Sequence, residues 1–102
     1  MRISFSRDGG FAGMRLATQI DTDSLLANDA TDWEKLIRDA NFFELPSSNQ
    51  PEMAGADRFK YVVDVTKGNE HHRVEALDGA IPPSLESLIQ QLLDAARMSR
   101  HR

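Results

Sequence analysis

The hydrophobic pattern of this chain changes its period twice, and that change limits the folds open to it. Near the start, Ile3 and Phe5 alternate with polar residues, and so do the apolar residues from Met14 to Ile20. A period of two residues is typical of half-buried strands. The glycine-rich stretch between the two runs therefore predicts an antiparallel hairpin.

A helical pattern follows the hairpin. Its apolar residues recur at intervals of three and four: Leu26, Ala30, Trp33, Ile37 and Ala40. This spacing predicts an amphipathic helix that ends near Asn41. The capping-box sequence Thr31–Glu34 indicates where it starts, although Asn28 or Asp29 could cap a helix that begins earlier.

The second half of the chain repeats this order. Residues 46–57 contain two prolines and no periodicity, which predicts a loop. Alternation then returns over Phe59–Val65 and again over His72–Ala76, with a turn at Lys67–Asn69, and an amphipathic pattern follows Pro82. The predicted fold is α+β: one domain over residues 1–102 in the order ββαββα, with a four-stranded antiparallel sheet and two main helices packed on one face. We expect residues 97–102 to fray.

Composition excludes several classes of protein. The net charge is −4, with 12 basic and 16 acidic residues, which argues against binding to nucleic acid. The chain has no cysteine, so it forms no disulfide, thiolate zinc site or cysteine nucleophile. We also find no signal-peptide pattern and no apolar run near the roughly 18 residues of a membrane span. We therefore expect a soluble, cytoplasmic protein with no membrane or nucleic-acid partner.

Residues that could support catalysis are sparse. His71 and His72 are adjacent in a predicted strand, so their side chains point to opposite faces and cannot easily share one ion. We expect no enzyme activity, no cofactor and no metal bound by the isolated protein. The alternative is a small metal-dependent enzyme that uses His71, His72 and Glu75.

Phe11 lies between Gly10 and Gly13, where a tight turn needs glycine but does not need an aromatic residue. A loop offers no regular face against which to bury it. Two interpretations stay open: the ring folds back onto the sheet, or it stands out as a contact residue.

Four stretches of the chain resemble a known family. They are "ISFSRDGGFAGMRL", "DTDSLL…WEKLIRDANFFELP", "GADRFKYVVDV" and "IPPSLESLIQQLL", and together they extend from Ile3 to about Leu93. These stretches resemble emfourin-type proteins, which are small bacterial inhibitors of protealysin-like proteases within the thermolysin family of zinc metalloproteases. The most specific parts are "GGFAG" and "GADRF". Asp8 is a departure, because an uncharged small residue is expected there as readily.

The resemblance implies that two neighbouring loops block the active site of a protease. One loop presents an aspartate to the catalytic zinc, for which it implies Asp57, with Asp8 as the alternative; Asp57 could instead accept backbone N–H bonds in a turn. The residues implied to contact substrate subsites are Gly9, Gly10, Phe11, Ala12, Gly13, Met53 and Ala54. The implied partner is a protealysin-like metalloprotease, and we expect the free protein to be a monomer. The competing function is a cytoplasmic protein–protein interaction domain without inhibitory activity.

Overall fold

The structure, a computed structural model, describes residues 1–9, 15–50 and 58–100; for Ser99 and Arg100 it describes the backbone only. The strands and helices within these residues are β1 Arg2–Gly9, β2 Leu16–Asp21, α1 Ala27–Asp39, β3 Ser48–Asn49, β4 Phe59–Lys67, β5 Glu70–Leu77 and α2 Glu86–Arg100. Short 3₁₀ helices cover Thr22–Ser24, Phe42–Glu44 and Pro83–Leu85. The α+β class agrees with the sequence prediction.

The strands form one mixed sheet in the order β2-β1-β4-β5-β3. Its four longer strands are antiparallel neighbours, whereas β3 runs parallel to β5. The prediction of four antiparallel strands in the order ββαββα was therefore wrong in two respects. The described residues contain a fifth strand, and the order along the chain is ββαβββα.

Strand β3 escaped the sequence analysis because it is two residues long and shows no alternation. Backbone and side-chain bonds attach it to β5: the Glu75 amide donates to the Ser47 carbonyl at 2.8 Å, and Asn49 Nδ2 donates to the Glu75 carbonyl at 3.1 Å. The same Asn49 amide group donates to the Pro46 carbonyl at 2.9 Å. An asparagine side chain, rather than an apolar pattern, thus fixes this edge of the sheet.

The core lies between one face of the sheet and the two helices. Ile3 and Phe5 of β1 are buried opposite Val65 and Val63 of β4. The helices contribute buried residues at helical spacing, namely Ile37 and Ala40 at the end of α1 and Leu88, Leu92 and Ala96 of α2. On the other face of the sheet the neighbouring positions are mostly polar, including Arg2, Ser4, Ser6, Lys60 and Asp64.

Helix α1 begins earlier than the capping box indicated. Leu26 occupies its N-cap without a side-chain hydrogen bond, so neither Asn28, Asp29 nor the Thr31–Glu34 box caps the helix. The Thr31 hydroxyl instead donates to the Ala27 carbonyl at 2.9 Å, one turn back within the helix. The end agrees with the prediction, because Asn41 adopts a left-handed conformation with φ of 53°.

Helix α2 follows the prolines as predicted, after the 3₁₀ turn at Pro83–Leu85. It extends to Arg100, and residues 101–102 lie outside the described residues. The fraying expected over residues 97–102 stays a prediction. Within the residues that the structure describes, neither helix has the length and apolar character needed to cross a membrane.

Candidate functional site

The two stretches implied to contact a protease start and finish at the same end of the sheet. We call residues 10–14 the glycine segment and residues 51–57 the proline segment. One row of paired residues crosses all five strands at this end: Leu16, Arg7, Tyr61, Ala76 and Asn49. Each segment leaves or re-enters the sheet within two residues of that row. Strand pairing therefore brings together the flanks of two stretches that are far apart in sequence.

Gly9, the last residue of β1, lies directly against the residue that follows the proline segment. Its φ is +93°, and a Cβ placed on it would lie 2.8 Å from the Arg58 carbonyl oxygen. Real Cβ atoms do not approach backbone oxygen so closely, so only glycine fits without a shift of one chain. Gly9 pairs with Phe59 across the two strands. Gly9, which precedes the glycine segment, and Arg58, which follows the proline segment, thus approach each other closely.

Asp78 closes the ladder between β4 and β5 beside this contact. The Asp78 amide donates to the Phe59 carbonyl at 3.1 Å, as in a regular ladder. The Phe59 amide, however, donates to the Asp78 carboxylate at 3.2 Å instead of to its backbone carbonyl. Arg58 Nη1 donates to that carbonyl at 2.6 Å. Three hydrogen bonds therefore hold residues 58–59 to a single aspartate.

Arg7, Phe59 and Tyr61 stack on the core side of the sheet, close to the residues that flank the two segments. The Arg7 guanidinium carbon lies 4.3 Å from the centre of the Phe59 ring, a cation–π contact. The Phe59 and Tyr61 ring centres are 6.4 Å apart. Burial raises the pKa of Tyr61 above 10.0, and the negative charge of Asp78 raises it further, so Tyr61 is neutral at physiological pH.

Asp8, the alternative zinc-directed residue, lies on the open face of the sheet one residue before Gly9. Its Oδ1 atom is 3.3 Å from Nε of Arg15, and its side chain is 45% exposed. This ion pair connects the described residues on the two sides of the glycine segment. Because both side chains remain largely in water, the pair contributes at most about 1 kcal/mol.

Most of the implied contact residues lie outside the described residues: Gly10, Phe11, Ala12, Gly13, Met53, Ala54 and Asp57. Their roles therefore stay predictions, as do both interpretations of Phe11. Of the residues implied by the resemblance, the structure places Gly9 and Asp8.

Three residues at this end were not singled out from the sequence: Arg7, Arg58 and Asp78. Two signals were present. Arg7 continues the odd-numbered apolar face of Ile3 and Phe5, where a charged residue is unexpected, and Asp78-Gly79 is a turn dipeptide at the end of a strand. Neither signal names the partner, because Asp78 bonds to residues about twenty positions away.

The adjacent histidines point to opposite faces, as the strand geometry predicted. His71 Nε2 is 2.5 Å from Asp64 Oδ1 on the open face. His72 Nε2 donates to the Leu45 carbonyl at 2.7 Å on the core side, where its ring also meets the edge of Phe42. No group of three histidine or acidic side chains in the described part of the chain could hold a metal ion.

Glu75, the third residue of the alternative metal site, is held by lysine. Its carboxylate is 2.7 Å from Lys60 Nζ, and the hydrogen bond to Lys60 lowers the pKa of Glu75 below 4.5. Arg73 lies 3.7 Å from the same oxygen atom. These contacts occupy Glu75 on the surface of the sheet and give it a structural role.

Comparison with known proteins gives one result. The family model described as Emfourin matches residues 5–93, which include β1 from Phe5 onward and all of β2 to β5. Neither the curated proteins nor the solved structures contain a significant match to the chain.

Proposed function

We propose that the chain, which belongs to the Emfourin family, is a protein inhibitor of thermolysin-family zinc metalloproteases. In this proposal the glycine and proline segments enter the active-site cleft together. A protealysin-like enzyme is the partner, and the zinc ion belongs to that enzyme. The inhibitor itself carries out no chemical step.

The contact between Gly9 and Arg58 is the observation that carries the proposal. An inhibitor that blocks a cleft with two chain segments needs both to project from one place on a rigid support. Here the flanks of both segments lie at one end of a five-stranded sheet, and Gly9 has no room for a Cβ next to Arg58. The residues that flank the two segments are therefore held together at one end of the sheet.

The chemistry of a catalytic zinc explains how an aspartate could inhibit. Such a zinc has three protein ligands and an open fourth position occupied by water, which a carboxylate oxygen can take at about 2.0–2.2 Å. Replacing the water removes the nucleophile of the protease. We propose Asp57 for this role, with Asp8 as the alternative.

The position of Asp8 within β1 favours Asp57 as the zinc-directed residue. To bind zinc, the Asp8 carboxylate would have to leave Arg15, its neighbour at 3.3 Å. Separating an exposed pair costs at most about 1 kcal/mol, so Asp8 is disfavoured by its position in β1 more than by this cost. Asp57, in contrast, directly precedes Arg58, which the bonds to Asp78 hold in place.

Apolar side chains supply the rest of the proposed interface. Thermolysin-like subsites accept bulky apolar groups, and burying a phenylalanine contributes on the order of 1.5–3 kcal/mol. We propose Phe11 as the main apolar contact, supported by Gly10, Ala12 and Gly13 around it and by Met53 and Ala54 of the proline segment.

The test is a peptide-cleavage assay with a protealysin-like enzyme after long preincubation with the purified protein. We expect inhibition, with Asp57→Ala weakening it by more than about tenfold through loss of the zinc bond. Phe11→Ala should weaken it less, because the zinc stays blocked. Both variants should melt at the wild-type temperature.

Three outcomes would contradict parts of this proposal. Full cleavage in the presence of micromolar wild-type protein would reject inhibition of that enzyme and favour an interaction domain without a protease target. Loss of inhibition in Asp8→Ala but not in Asp57→Ala would exchange the roles of the two aspartates. If Asp8→Ala and Asp57→Ala both inhibited as strongly as wild type, zinc ligation would be rejected. The proposal that the two segments block the cleft would stand.

A further inference from the structure

Gly68 and Gly9 both have a positive φ, but they require glycine for different reasons. Gly68, in the turn between β4 and β5, has φ of +59° and nothing within 4 Å of a Cβ placed on it. Gly9 has φ of +93° and a backbone oxygen 2.8 Å from the corresponding position. The turn at Gly68 needs glycine for its backbone conformation alone. Gly9 also needs it because a side chain there would collide with the backbone of Arg58, next to β4.

The other side of the Gly9 contact is fixed by Asp78. The Asp78 carboxylate accepts the hydrogen bond of the Phe59 amide, which the Asp78 carbonyl would accept in a regular ladder. Arg58 Nη1 donates to that carbonyl instead. Residues 58–59 thus cannot move away from β5 without breaking hydrogen bonds at both residues. Movement toward β1 is blocked by Gly9 itself.

Arg7 reinforces the same position from the core side. It is two residues before Gly9 in β1, and its guanidinium stacks on the ring of Phe59 in β4. The two strands are therefore joined by a backbone contact at Gly9 and by a side-chain contact at Arg7. Both contacts lie immediately beside the ends of the segments.

We propose that Gly9, Arg58 and Asp78 form a positioning joint, which sets the spacing between Gly9 and Arg58, the residues from which the glycine and proline segments extend. This inference rests on the proposed function, in which both segments enter one cleft. When two groups bind one partner, a fixed spacing raises the effective concentration of the second once the first is bound. The joint supplies affinity through this spacing, separately from the direct protease contact that the resemblance implies for Gly9.

The first test compares Gly9→Ala with the matched control Gly68→Ala. Both variants place an alanine at positive φ, but only the first forces two backbones apart. We expect Gly9→Ala to raise the inhibition constant by more than about tenfold and Gly68→Ala to stay within about twofold of wild type. Assays are run well below both melting temperatures. Equal inhibition by Gly9→Ala and wild type, or equal weakening in the two variants, would overturn the joint.

A second pair of variants keeps the inference testable if Gly9→Ala does not fold. Asp78→Ala removes the acceptor of the Phe59 amide, whereas Asp78→Asn retains an oxygen that can accept the same bond. We expect Asp78→Ala to weaken inhibition and Asp78→Asn to restore most of it. A residue that only stabilises the fold would change melting but not the inhibition measured below the melting temperatures. Unchanged inhibition in Asp78→Ala, or failure of Asp78→Asn to restore it, therefore contradicts a positioning role.

Amide hydrogen exchange on the free protein separates failure of the joint from failure of the proposed function. In Asp78→Ala the Phe59 amide should exchange faster than in wild type and Asp78→Asn, while the Val63 amide in the centre of β4 keeps its rate. This result would support the joint even if no protease were inhibited. Unchanged Phe59 exchange in Asp78→Ala would overturn the joint whether or not the wild-type protein inhibits.

Discussion

Charged and polar residues lie partly or fully buried at the end of the sheet next to the glycine and proline segments. Arg7 lies at a position where the alternation of β1 directs the side chain toward the core, and it stacks on Phe59 there. Tyr61 pairs with Arg7 across the strands and is 8% exposed. The negative charge of Asp78, the residue that also accepts the Phe59 amide, adds to burial in raising the pKa of Tyr61. The polar groups beside Gly9 and Arg58 thus lie close to one another and to the core.

The ionisation of Tyr61 gives a direct measure of this arrangement. Because burial and Asp78 both favour the neutral phenol, the pKa of Tyr61 is raised above 10.0 in the folded protein. The stability that neutral Tyr61 contributes to the folded state is fully present below pH 10. It is lost as the pH rises through the pKa of Tyr61 in the folded protein. Tyr61 is the only tyrosine, so the ultraviolet absorbance of tyrosinate reports it alone. We expect its titration midpoint to lie above that measured in denaturant.

The outcome for Tyr61 depends on the sign of the shift. A midpoint in the folded protein at or below the denatured value would show that the phenol is solvated or lies closer to Arg7 than to Asp78. The control is Asp78→Asn, which removes the negative charge but keeps the oxygen atom, so it should lower the midpoint from its wild-type value.

At the scale of elements, periodic residues were predictable and local bonds were not. The alternation of Phe59–Val65 and the helical spacing of Leu88, Leu92 and Ala96 identify β4 and α2 because burial selects apolar residues at the period of each element. β3 has no such period. The start of α1 was misplaced because Leu26, without a capping side chain, occupies the N-cap.

The same distinction applies to the candidate site. The glycines near Phe11 and the strand at Phe59 indicated where the two segments begin and end. Asp78 could not be assigned a role, because its function depends on long-range pairing between β4 and β5 that no local pattern specifies. The sequence thus indicated the bounds of the two segments, whereas the contacts between the residues that flank them required the fold.

The packing of α2 predicts a change in stability without a change in binding. Leu88 is 1% exposed, so Leu88→Ala removes fully buried methyl groups and should cost roughly 2–5 kcal/mol. For a domain of this size the melting temperature should fall by roughly 8 °C or more. Below that temperature inhibition should equal wild type. Leu26→Ala is the control, because Leu26 is 79% exposed and its truncation should leave melting nearly unchanged.

At the scale of the whole molecule, the sheet has two ends, separated by the length of β4. Gly9, Arg15 and Arg58 lie at one end, and the turn at Gly68 and Asn69 lies at the other. Nine residues of strand between them span about 27 Å. An inhibitor that inserts one end into a cleft should therefore leave the other end in solvent.

Attaching a bulky group at each end tests this polarity. The chain has no cysteine, so Asn69→Cys and Arg15→Cys each create a unique site for a polyethylene glycol maleimide, and both side chains are exposed. We expect labelled Asn69→Cys to inhibit like its unlabelled form, because the polymer projects away from the protease. Labelled Arg15→Cys should lose inhibition relative to its own unlabelled form, because the polymer competes for the space that the cleft must occupy. Comparing each variant with itself cancels any effect of the substitution, including loss of the ion pair between Arg15 and Asp8. If the polymer abolished inhibition at residue 69 and not at residue 15, the protease would bind the opposite end of the sheet.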